Sequence, residues 1–138
     1  MKIQIKKSFL FFFIFFSILL SATRPVAVLN KVVGDVKIDM VETPGWQAAF
    51  LGGKLGDGDK LETGTASFGS VMFLDRSMIK IRENTKFTVK SKRTVKRELE
   101  TDINVAVGEM HVQATTGSKI KIQTPTSVAS VKGTEFNL

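Results

Sequence analysis

The sequence predicts an all-β domain behind a short export signal. Two observations predict the fold. Apolar and polar residues alternate in short runs, and no window sustains a 3.6-residue apolar period. Glycine-rich turn signals separate those runs at intervals of roughly 6–12 residues. A third observation sets the first 22 residues apart: they hold three lysines, six of the 11 Phe and no acidic residue.

That segment has the pattern of a secretory signal peptide. Lys2, Lys6 and Lys7 form a positive start, Phe9 to Leu20 is apolar apart from Ser17, and Ser21-Ala22 are small. An uncleaved anchor is the alternative. Ser8 to Ala22 makes only about 22 Å of helix at about 1.5 Å per residue, against about 30 Å of bilayer core. Cleavage is therefore expected, with no stable membrane span afterwards, and the rest of the chain is expected to be exported to the periplasm or beyond. The expected division is a signal over 1–22, a lead-in over 23–31 and one domain over 32–138.

The elements follow in order. Val36, Ile38 and Met40 alternate with Lys37 and Asp39, after the turn Gly34-Asp35. Pro44-Gly45, Gly52-Gly53 and Gly56-Asp57-Gly58-Asp59 mark turns. Val71 and Phe73 alternate with Met72 and Leu74, which predicts a strand apolar on both faces. Ile79 and Ile81 lead to Phe87 and Val89; then come Ile103-Val105-Val107, Met110-Val112-Ala114 and Ile120-Ile122 at period two. Short strands at this spacing predict two facing sheets or a short irregular solenoid. The expected core is Val36, Ile38, Trp46, Leu55, Leu61, Phe68, Val71, Phe73, Ile79, Ile81, Phe87, Val105, Val107, Ile120, Ile122, Val128, Val131 and Phe136.

Composition narrows the chemistry. With no Cys there is no disulfide, thiolate metal site or Cys nucleophile, and a single His excludes a multi-histidine zinc site. The net charge of +7 falls to +4 once residues 1–22 are set aside. Asp57, Asp59 and Glu62 sit in a glycine-rich loop that lacks the calcium-loop pattern; the expected role is capping of turn N–H groups. His111 alternates with buried-type neighbours, and no Gly-x-Ser-x-Gly elbow accompanies it. No pair of carboxylates is singled out for hydrolysis. The expectation is a non-enzyme without cofactor or metal.

The densest charge is the run Lys86, Lys90, Lys92, Arg93, Lys96 and Arg97. It is either a solvated hairpin whose lysines discourage edge pairing or a surface for an anionic polymer. Nucleic acid is not expected, since only Phe87 is nearby for base stacking.

Taken in order, four blocks resemble the FecR domain family. They are Gly34-Asp35-Val36; then Trp46, Gly53-Lys54-Leu55 and Gly58-Asp59-Lys60-Leu61-Glu62-Thr63-Gly64; then Ser67, Val71, Phe73, Asp75, Ser77, Ile79, Ile81 and Asn84-Thr85; then Gly108-Glu109-Met110, Thr124-Pro125-Thr126 and Val128 to Phe136, including Gly133-Thr134. The resemblance covers about residues 32–138. These residues have fold-specifying roles: Gly58 suits a positive φ, and Thr124-Pro125 an extended strand edge. Where the family has Asp-Gly-Ser this chain has Asp75-Arg76-Ser77, and a different turn is expected because Arg disfavours the left-handed region. The ending soon after Gly133-Thr134 suggests a truncated or minimal module.

The resemblance implies an envelope sensory or protein-interaction module with a protein partner, linked to signal transduction. The best-known relatives place a cytoplasmic segment and a membrane helix before the domain and relay iron-siderophore signals. Here the signal leads straight into the β domain, so that relay is not expected. The alternative function is an envelope-polysaccharide or anionic-polymer binder using the basic run.

Overall fold

A computed structural model describes residues 24–126 apart from Arg97, and the backbone of two further strands up to Asn137. Residues 1–23, on which the expected signal falls, and Gly133 and Thr134 lie outside the described residues, as do the side chains of Val128, Val131 and Phe136. Thirteen strands are described: β1 Ala27–Val33, β2 Val36–Asp39, β3 Trp46–Ala48, β4 Lys54–Leu55, β5 Lys60–Thr63, β6 Phe68–Phe73, β7 Met78–Ile81, β8 Lys86–Arg93, β9 Leu99–Val107, β10 Met110–Gln113, β11 Lys119–Gln123, β12 Val128–Val131 and β13 Glu135–Asn137.

They form two sheets, one of six strands in the order β13-β10-β7-β6-β1-β4 and one of seven in the order β12-β11-β9-β8-β5-β2-β3. Neighbours are antiparallel except β9 and β11, which run parallel. The period-two pattern explains the core. In the six-stranded sheet Leu29, Val71, Phe73, Ile79, Ile81, Met110 and Val112 point inward; in the seven-stranded sheet Val36, Ile38, Leu61, Phe87, Val89, Ile103, Val105, Ile120 and Ile122 do. All belong to one buried cluster. In-register rows such as Ile38, Leu61, Phe87 and Val105 set these side chains beside one another.

Four expectations need correction. The stretch expected as a lead-in is largely β1, paired with both β6 and β4, and Leu29 within it is fully buried. A register shift between Leu29 and Lys31 breaks its alternation, which hid the strand. Phe68 is exposed, because β6 turns its odd-numbered residues inward. Val107 is exposed as well: a bulge opposite Lys86 and Phe87 moves it out of step with Val105. Trp46 is 40% exposed on the outermost strand rather than buried.

The turn at Asp75-Arg76-Ser77 is also not what the sequence suggests. Arg76 adopts φ +68°, the left-handed conformation itself. Arg76 N–H donates to the Phe73 carbonyl at 3.0 Å, and Phe73 N–H to the Ser77 carbonyl at 2.9 Å. This is a three-residue hairpin loop with its last residue left-handed, a position that favours glycine.

Candidate binding surfaces

The resemblance-bearing residues gather into hydrogen-bonded turn clusters. At one end Thr85, fully buried, exchanges bonds with Glu109: its hydroxyl donates to the Glu109 carbonyl at 3.1 Å and accepts from Glu109 N–H at 3.0 Å. Thr85 N–H donates to Thr63 Oγ1, which itself donates to the Arg82 carbonyl at 2.6 Å. Gly64 N–H reaches the Asp35 carbonyl, Asn84 N–H the Gly64 carbonyl, and Asp35 N–H the hydroxyl of Ser67. Gly34, with φ +76°, lies against Ser67 at this end, and Gly108, with φ +110°, lies against Thr85. These turns are far apart in sequence and share one knot of bonds.

Elsewhere Asp59, 6% exposed, accepts from Gly56 N–H at 2.6 Å and Val41 N–H at 2.8 Å. Asp57 accepts from Ser91 N–H. Asp59 thus caps its own turn, whereas Asp57 reaches across to a backbone N–H of β8; among the described residues no group of three or more His, Asp or Glu is arranged to hold a metal ion. Asp75 accepts from Ser77 N–H, and Ser77 Oγ is linked to Ser118 and to Thr115 N–H. Gly53 closes a turn on the Phe50 carbonyl beside β4, where Leu55 is fully buried. Gly58 has φ +88°, and Phe73 is a core residue. Thr124-Pro125 follows β11 directly, and Phe136 lies opposite Val112 in β13.

The basic run occupies the β8–β9 hairpin. Period two points Lys86, Lys90 and Lys92 to the outer face, and acids stand beside them. Glu62 Oε2 is 3.3 Å from Lys86 Nζ, while Asp102 and Glu100 are the register partners of Lys90 and Lys92. On β9's other side Lys119 bonds Glu98 at 2.7 Å, which holds its pKa above the usual value. The face is thus striped by strand, cation beside anion. Arg93 and Lys96 are exposed near the hairpin end, and Arg97 lies outside the described residues. Lys86 Nζ also sits 4.7 Å from the centre of the Trp46 ring, a cation–π contact at the sheet's edge.

Two surface features were not foreseen from the sequence. The first is the free edge of β3. Ala49 N–H bonds the Val36 carbonyl, so alternation along the ladder turns the Gln47 groups toward β2 and those of Trp46 and Ala48 outward. Trp46, Gln47 and Ala48 are all exposed, and Phe50 and Leu51 just beyond are exposed apolar residues.

The second is a groove of about 540 Å³ on the outer face of the six-stranded sheet. Registers assemble its floor: Lys31, Ser70, Lys80 and His111 form one row across β1, β6, β7 and β10. Phe68 and Arg82 flank that row, with Arg82 Nε 3.2 Å from Glu109 Oε1. Ser70 is 5% exposed, and its hydroxyl has no hydrogen-bond partner. An unmet buried hydroxyl costs about 1–3 kcal/mol. Lys31 and Lys80 make no ion pair among the described residues.

The fold is all-β, two sheets whose connecting turns are tied together by side-chain and backbone hydrogen bonds. The model of the FecR protein family matches residues 59–138, more than half of the chain, and the chain belongs to that family. The family is one of domains related to sensory signal transduction. Gly34-Asp35, in the turn between β1 and β2, and Trp46, in β3, lie ahead of the matched stretch. No curated protein and no solved structure matches the chain.

Proposed function

We propose that the chain is an exported, non-catalytic interaction module of the FecR type, which recognises an extended segment of an envelope protein by strand addition at β3. The free β3 edge carries this reading. Its outward N–H and C=O groups offer main-chain hydrogen bonds to an added strand, and Trp46, Phe50 and Leu51 offer apolar side chains beside it. The family supports a sensory role, and the positively charged, apolar first 22 residues support export.

The test is Ala48→Pro. It removes one outward donor and leaves the bonds to β2 intact, and proline is tolerated on an edge strand. Partner capture from envelope extracts should fall about two- to tenfold, the worth of the one strand-pairing bond lost. Amide exchange at Trp46 and Ala48 should slow when the partner binds the unaltered chain. Equal capture by the proline variant, or unchanged exchange at both amides, would refute strand addition at this edge.

A further inference from the structure

We infer that the groove over β1, β6 and β7 binds an acidic saccharide, its carboxylate or phosphate seated on the Lys31–Ser70–Lys80 row. This site lies on the opposite sheet from the β3 edge and does not depend on strand addition. Four observations meet there. Ser70 is 95% buried in the groove floor with its hydroxyl unpartnered. Its register partner on each side is a lysine. Adjacent strands stand about 4.8 Å apart, so two ammonium groups on flexible stems can close on one oxyanion above the hydroxyl. Neither lysine is engaged by an acid among the described residues, and the one acid in the lining, Glu109, is tied to Arg82.

The groove's shape and walls choose the rest of the ligand. A volume of about 540 Å³ is in the range of small-ligand sites and far exceeds a bare anion. Phe68, 45% exposed beside Ser70, offers an aromatic face to the C–H side of a sugar ring, and Asn30 adds an amide for its hydroxyls. An extended peptide fits poorly. The floor is a sheet face, whose backbone groups are already spent in the ladder, so only side chains remain for recognition.

The experiment is calorimetric titration of the purified full chain with three probes: an oligouronate, an amino-sugar phosphate, and a neutral oligosaccharide of the same length as the oligouronate. Binding of either acidic probe at least about tenfold tighter than the neutral one, and weakening with salt, is expected; the arm that binds identifies the source of the anion. Ser70→Ala should weaken it about tenfold while leaving the melting temperature unchanged or higher, because the hydroxyl has no partner to lose. Lys31→Gln with Lys80→Gln should abolish it, and Lys90→Gln with Lys92→Gln should leave it within about twofold. The inference is overturned if neither acidic probe binds at millimolar concentration, if the neutral probe binds equally, if the Lys31 and Lys80 changes have no effect, or if an acidic peptide binds more tightly. Ala48→Pro should leave saccharide binding intact, so failure here and failure of strand addition are separable.

Discussion

Arg76→Gly is expected to stabilise the protein, and the size of the gain follows from the β6–β7 turn. Arg76 holds φ +68°. A non-glycine residue in that region carries about 1–2 kcal/mol of strain from its Cβ against the following carbonyl. Glycine removes the strain but adds unfolded-state freedom worth about 0.5–1 kcal/mol. The turn's own bonds persist, because Arg76 N–H to Phe73 and Ser77 N–H to Asp75 involve no Arg76 side-chain atom. The guanidinium has no ion pair among the described residues to lose. The net gain is about 0–1.5 kcal/mol and centres on about 0.75 kcal/mol, or roughly 3–6 °C in melting temperature for a domain of this size. Thermal unfolding followed by circular dichroism reads it directly. Arg76→Ala is the control: it keeps the Cβ and the strain, and should shift the melting temperature by less than about 1 °C. A lower melting temperature for Arg76→Gly, or an equal gain for Arg76→Ala, would refute the strain argument.

Two further outcomes are expected. Gly108→Ala places a Cβ on the backbone and side chain of Thr85 at a φ of +110°, so it should cost at least about 3 kcal/mol in chemical denaturation; a loss under about 1 kcal/mol would mean that the knot at Thr85 relaxes freely. Asp39 accepts from Gly45 N–H and then from Lys60, which hold its pKa below the usual carboxylate value. Its contribution to stability is therefore complete above about pH 4 and is lost as pH falls through the lowered folded value. Asp39→Asn should flatten the decline of melting temperature on the acid side of pH 4, and an unchanged decline would assign it to other carboxylates.

Much of the fold is legible in the sequence because inward and outward residues alternate without interruption in β2, β7, β10 and β11. Where a bulge adds a residue, parity is lost; β1 is hidden at Leu29–Lys31, and Val107 changes side. Phe68 shows a second limit. A strand apolar on both faces does not declare its inner one, and only pairing with β7 decides that Val71 and Phe73 face inward. Trp46 shows a third: hydrophobicity says nothing of a strand's place in its sheet, and β3 is outermost. The groove was illegible for a different reason. Lys31, Ser70 and Lys80 are individually ordinary, and they become a row only through two cross-strand registers. The basic run was the reverse case: conspicuous in one dimension, it meets acids from neighbouring strands in two.

The position of β1 has a consequence for the order of assembly. This strand is synthesised early, yet its partner along most of its length is β6, and Ala27 meets Phe73 only after the intervening four strands exist. Loop closure of that span must precede the reward of burying Leu29. A nascent chain that has not yet reached Phe73 thus carries an apolar strand with only the two-residue β4 to pair it. Folding of this domain is bound to be a late and collective event, in the slow range typical of non-local β topologies, and the emerging N-terminal third is the part most in need of shielding until then.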